Sequence, residues 1–371
     1  MRGMGGVRPL AQFMEDGSFL MPEVPAVLRA LQAMGAPEWL DYDYAMSVSG
    51  AALRLTWQMG WAGYEGLPNQ AEVFFNGRPH GLIETALTNL GAAWRYRDMA
   101  GLEALEAERE IRAALDQRRP VILFQQDVCV TVLGYDDEAL YAVGTLLNPE
   151  ERVEPYGYNR LTRWKETAEG YFLIDGFAPK PMDRARLIQV MAGACRLART
   201  RRTEGFDHAA LGLAAFEAVA DLMVWDEGFE GLSVNEPWAG ALSFPLERPA
   251  GYYRADGGRT LSQRFWQGYC DFLCMLNGYE NFYRFLVKYA GLIPEWSEAI
   301  LRAAGDYRVA CESSGLLWDY VTPDEAGVEK FKEKPVRYAF AAHMLRARLY
   351  TLRGVETFEG LLNSPLGQAG Y

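Results

Sequence analysis

Residues able to do nucleophilic, acid–base or metal chemistry are sparse in this chain, with three histidines and five cysteines in 371 residues. Cys129 lies in the β-rich run "VCVTVLGYDD" (128–137) and is a reactive-thiol candidate if its side of the strand faces a cleft. The alternation of Cys129, Thr131 and Leu133 against Val128, Val130 and Val132 leaves that side open. His80 precedes the helical stretch "GLIETALTNLG" (81–91). A helix start disfavours imidazolium, so a neutral base is one reading. The sequence favours the plainer one, a solvent-exposed loop residue after Pro79.

The other candidates point to structure. His208 beside Asp207 reads as a helix start, with the carboxylate capping or in the first turn. His343, in "FAAHMLRARL" (340–349), sits among apolar residues as core and interface histidines do. Cys270 and Cys274 share a helix face four residues apart, and buried packing explains them better than a soft metal lacking further ligands. The chain has no HxxxH or CxxC, and "GMGG" (3–6) follows no strand. No metal and no cofactor are therefore expected.

The elements that must position these residues change character along the chain. "PEVPAVLRALQAMG" (22–35) places Val24, Val27, Leu28, Leu31 and Met34 at helical spacing and closes on Gly35. The stretches 80–91 and 101–119 repeat that design. "PVILFQQ" (120–126), two runs flanking Asp136-Asp137-Glu138, and "GYFLIDGF" (170–177) read as strands, the middle pair as a hairpin. Helices followed by hairpin-linked strands predict an α+β domain over 1–180 with a mainly antiparallel sheet. From Met182 onward the periodicity is helical, over 184–199, 207–224, 261–290, 294–321 and 329–354. An all-α domain over 181–371 is expected, with the Gly- and Pro-rich stretch 235–258 as a lid. The aromatics of 261–290 serve either as core or as the lining of a pocket or oligomer interface.

One block carries a resemblance. A helix ending in "AMG", then "YDYAMSVSGAALRLTW" (42–57), a strand pair around "LGYDD" and "NP" after the second strand resemble the papain-like fold of bacterial cysteine peptidase-type proteins. Similar proteins include the double-glycine leader peptidases and the N-terminal domain of the butirosin-pathway acyltransferase, with its uncharacterised bacterial relatives. The helical half resembles the latter group around 205–223 and 285–307.

The resemblance implies a Cys at the start of the first core helix, a His on the strand before "GYD", and an Asp or Asn after the next strand. This chain has Glu23 at the first place and Val128-Cys129-Val130 at the second. Asn148 in "NP" matches the third. Two members of the triad are missing, so a catalytically diverged protein is expected, retaining a cleft at Glu23, Ser49 and Arg54 for a small molecule or peptide. Within the block, Ser49 reads as an N-cap, Gly50, Ala51 and Ala52 permit close backbone approach, and buried Arg54 needs a partner such as Asp43.

Alternatives remain at this stage. One is acyl transfer or amide hydrolysis in a rearranged site, with Cys129, His80 and Asn148, or with Ser18 and His80. Another is a structural protein whose helical half pairs with a second copy. A net charge of -12 argues against nucleic acid and anionic membranes, and the basic run 196–205 reads as a helix end. With no signal peptide, no apolar span and unpatterned cysteines, a cytoplasmic protein is expected.

Overall fold

The computed structural model describes residues 2–3, 23–58, 74–75, 78, 80–125, 128–144, 152–153, 158–205, 209–230, 261, 273–318 and 325–368. Contacts gather the chain into two units, 1–49 with 80–181 and 50–79 with 182–371. The first unit ends at Pro181, and the segment 50–79 goes with the helical unit.

In chain order the strands are β1 (Arg2–Gly3), β2 (Thr56–Gln58), β3 (Ala92–Asp98), β4 (Val121–Gln125) and β5 (Val128–Tyr135). They continue as β6 (Leu140–Val143), β7 (Arg152–Val153), β8 (Tyr158–Leu161), β9 (Gly170–Phe177) and β10 (Ala209–Leu211). The principal helices are α1 (Glu23–Ala33), α2 (Tyr42–Ser49), α3 (Gly81–Leu90), α4 (Ala104–Asp116) and α5 (Arg184–Arg199). After them come α6 (Leu213–Val224), α7 (Leu273–Tyr289), α8 (Ser297–Trp318) and α9 (Lys334–Leu362).

The first unit is built on one sheet in the order β3-β9-β4-β5-β6-β8-β7, with β1 also pairing β5. Every described pairing in it is antiparallel. The mixed α+β class, with an antiparallel sheet first and helices after, therefore holds. The β5–β6 hairpin turns at Asp136, whose carboxylate accepts the Glu138 and Ala139 N–H groups at 2.9 and 2.8 Å.

One sheet face packs against α4. Val121, Leu123, Val130, Val132, Tyr171 and Leu173 bury there with Ala107, Ile111, Ala114 and Leu115. The opposite face receives α1, whose Val24, Val27, Leu28 and Leu31 are fully buried. Every residue of this helix from Glu23 to Leu31 is buried, so it is a core helix covered on all sides rather than one with a single buried stripe.

The second unit is helical, with a two-stranded antiparallel ribbon, β2–β10, whose strand β10 the sequence reading placed inside a helix. "AAL" at 209–211 is a short apolar run, which periodicity does not distinguish from a helical turn. Helix α9 packs along α8, α6 and α5. Its core is aromatic: Tyr307 lies 4.8 Å from Phe282, 5.3 Å from Tyr279 and 6.0 Å from Phe358, centroid to centroid. Tyr279, Phe282 and Phe285 are therefore core residues, while Phe265, Trp266, Tyr269 and Phe272 lie outside the described residues. The basic helix end also stands as read: Arg199, in the last turn of α5, binds both carboxylate oxygens of Glu359 at 3.0 and 2.8 Å.

The block 42–57 is divided between the units. Asp41 accepts the Tyr44 N–H at 2.9 Å and starts α2. Ser49 is the last residue of that helix, not an N-cap, and its hydroxyl donates to the Met46 carbonyl at 3.2 Å. Gly50 follows at φ 75°, a left-handed conformation that ends the helix. The small residues after it do allow close approach, since a Cβ on Gly278 of α7 would stand 2.9 Å from the Ala52 carbonyl oxygen.

Candidate functional site

The α1 face of the sheet gathers the first unit's histidine and cysteine. Residues directly opposite one another on antiparallel strands share a face. One row runs Tyr96, Phe172, Ile122 and Thr131, across β3, β9, β4 and β5. The next runs Asp98, Gly170, Phe124 and Cys129. The side of Cys129 that the sequence left open is thus the α1 side. Thr131, in register with it, donates its hydroxyl to the Ala26 carbonyl at 2.8 Å and ties β5 to the first turns of α1. Glu23 lies one turn before Ala26 and is fully buried.

His80 is not the exposed loop residue that its Pro-His context suggested. It occupies the N-cap position of α3 and is 7% exposed. Its Nε2 lies 2.6 Å from the Tyr96 hydroxyl. Its ring packs 4.5 Å from Phe124 and 5.7 Å from Phe172, both edge-on. Burial pushes the Tyr96 phenol above its ordinary pKa, reinforced by Asp98, Glu169 and Cys129. The phenol therefore stays neutral and can donate to the imidazole. Gly170 makes this possible, because a Cβ there would meet the Tyr96 hydroxyl at 2.0 Å.

His80 and Cys129 meet around Phe124. The ring of His80 lies against it, and Cys129 is its cross-strand partner. Cys129 is 1% exposed. The arrangement thus places a buried thiol, an imidazole and a phenol beside the same strand position, Phe124.

Other expected site residues lie elsewhere. Arg54 falls in the second unit, apart from Glu23 and Ser49 in the chain's division. Its guanidinium stacks 4.1 Å over the Phe75 ring and 5.7 Å from Phe74, and burial lowers its pKa to about 9. His343 is half-buried on α9, with its pKa lowered by desolvation and by Arg346. Asn148, Ser18, Asp207, His208, Cys270 and the lid stretch 235–258 lie outside the described residues, as does the side chain of Cys274.

Tyr96 was missed in the sequence, although "AAWRYRD" carries the signal. Trp94 and Tyr96 alternate with Arg95 and Arg97, the period of a half-buried strand. On the other face Arg95 binds Asp175 through two bonds, at 2.7 and 3.0 Å, and Arg97 binds Glu110.

A groove of 340 Å³ in the second unit is lined by Arg201, Arg202, Ala210, Glu217, Asp221 and Leu222, and contains none of the expected site residues. Among the described residues no group of three His, Cys, Asp or Glu could hold a metal ion, and no helix is long and apolar enough to cross a membrane. Compared with known proteins, the chain matches no family model and no curated sequence.

Proposed function

We propose that the first unit is a catalytically diverged papain-like domain that binds a small molecule or peptide and does not cleave it. The observation that carries this reading is the bond from Thr131 to the Ala26 carbonyl. It seats the N-terminal turns of the first core helix on the strand and face that hold Cys129. A papain-like site needs that juxtaposition of helix start and strand. Here the helix start offers Glu23, a carboxylate, and the strand offers a thiol where the resemblance calls for an imidazole. The setting that fits is peptide or natural-product tailoring in a bacterial cytoplasm, by likeness to the relatives named above. The described cysteines, Cys129, Cys195 and Cys311, are unbridged, in keeping with such a setting.

The alternative, a thiol enzyme of rearranged site, is favoured by one observation, the shared contact of His80 and Cys129 with Phe124. Labelling separates the two. Native full-length protein is treated with a thiol-reactive acyl probe, then digested and weighed. Binding without catalysis predicts an unlabelled Cys129 in the native state, labelling after denaturation, and thermal shifts with members of a peptide and metabolite panel. Stoichiometric native labelling of Cys129 with turnover of an amide or thioester would overturn it in favour of the enzyme. The absence of any thermal shift across the panel would count against the binder.

A further inference from the structure

Of the basic run that closes α5, Arg199 is held by Glu359. The next two arginines, Arg201 and Arg202, lie beyond the helix and line the 340 Å³ groove of the second unit. The Leu211 N–H donates to the Arg201 carbonyl at 3.0 Å and fixes this turn beside the end of β10, where the chain enters α6. One side of the groove is α6 itself. Its Ala214, Ala218 and Leu222 stand four residues apart and form a half-buried apolar strip. Glu217 and Asp221 line the groove from the adjoining row of the same helix. The charges here are unequally used. Glu217 is taken by Arg348 at 2.6 Å and, more loosely, by Arg201 at 3.7 Å. Arg202 and Asp221 have no hydrogen-bond or ion-pair partner among the described residues, although both border the same cavity.

We propose that this groove binds a short peptide by both of its charged ends, the carboxylate on Arg202 and the ammonium on Asp221. The site lies wholly within the second unit and shares no residue with the first. Three features select this occupant. An unpaired cation and an unpaired anion favour a zwitterion, because a simple anion would be repelled by Asp221 and a simple cation by Arg202. From Ala214, beside the arginine turn, to Asp221 is seven residues of helix, about 10 Å. An extended chain advances about 3.3–3.6 Å per residue, so three residues span that length and two suffice once the arginine side chain reaches inward. A free amino acid holds its two charges too close together to meet both ends. The polarity also fits, since the carboxylate lies toward the start of α6 and the ammonium farther along it, as the helix dipole favours. The volume is near the lower end of the range for small-ligand sites, about 300–1,000 Å³, and the alanine strip leaves room for small side chains on the peptide.

Trialanine is titrated into the full-length protein by calorimetry, beside alanine, N-acetyl-trialanine and trialanine amide. Saturable binding of trialanine is expected, with each blocked peptide and alanine weaker by about tenfold or more. Arg202→Gln should weaken trialanine to the level of its amide and leave the amide unchanged. Asp221→Asn should do the same with respect to the acetylated peptide. Both side chains are exposed, so Tm and helical content should stay those of the native chain. Ala218→Trp, which fills the groove, should abolish binding. No heat of binding with trialanine at about 10 mM overturns the proposal. So do equal affinities for free and blocked peptides. Binding that survives all three substitutions overturns it as well, and assigns the peptide to the first unit.

Discussion

Arg337 in the helical unit and His80 in the sheet unit are both buried polar groups beside aromatic rings, yet they are satisfied in opposite ways. Arg337 is 2% exposed. Its guanidinium donates to the carbonyls of Met223, Phe331 and Lys332 at 3.2, 3.3 and 2.6 Å, and to the Asp226 carboxylate at 2.5 Å. It also lies 4.2 Å over the Phe229 ring. His80 meets Tyr96 and two edge-on phenyl rings instead. A fixed charge recruits acceptors from several elements and becomes a structural joint. A group with no fixed charge tolerates an aromatic cage.

The largest effect is expected at the joint. Replacing Arg337 by Met leaves three carbonyls and Asp226 without their shared donor. A loss of about 3–5 kcal/mol is expected in urea unfolding of the full chain, the range for breaking one side of a buried ion pair. A loss below about 1 kcal/mol would show that water replaces the guanidinium, and the contrast with His80 would collapse.

The cage is tested next. Gly170→Ala pushes a methyl group into the Tyr96 hydroxyl, 2.0 Å away in the present geometry. Tyr96 must move off His80, at a cost of about 1–3 kcal/mol for overpacking. Tyr96→Phe removes only the hydroxyl and should cost about 1 kcal/mol, for a bond to His80 that the displaced ring of Gly170→Ala has already lost; the ring carbons Cζ and Cε2, at 2.4 and 2.6 Å from the added methyl, keep the clash. In the Gly170→Ala, Tyr96→Phe double variant the two losses should therefore sum to less than the separate values. Strict additivity would mean that Gly170 is required for something other than the phenol.

What the sequence disclosed follows the same division between local and distant causes. Helices α1 and α3, the hairpin at Asp136 and the basic end of α5 were legible because period, glycine and charge placement act within a few residues. The burial of His80 was not, because Tyr96, Phe124 and Phe172 come from three strands that only the sheet order β3-β9-β4 brings together. The allegiance of residues 50–79 was likewise hidden. It is decided by contacts such as Gly278 on Ala52 and by the β2–β10 ribbon, between positions far apart in the chain. Strand β3 was readable and overlooked, since its aromatic–arginine alternation begins three residues after the helix-ending Gly91. Of the candidate site, the residue types were visible but their common face was not.

The smallest effect belongs to a carboxylate that is neither caged nor buried. Asp136 accepts the Tyr141 hydroxyl at 2.5 Å and two backbone N–H groups in the β5–β6 turn, and these bonds lower its pKa to about 2. The unfolded chain holds such a carboxyl near the ordinary value of about 3.9. Folding therefore favours the ionised form. Its contribution is complete above about pH 4 and declines as pH falls toward 2, where the folded state too becomes protonated. Asp136→Asn keeps an acceptor for the turn but has no proton to gain. The gap in urea midpoint between the native chain and this variant should accordingly be modest at pH 7 and shrink between pH 4 and pH 2. A gap that stays constant over that interval would mean that the turn relies on the shape of the side chain alone, and that among these three polar groups ionisation matters only where solvent is excluded.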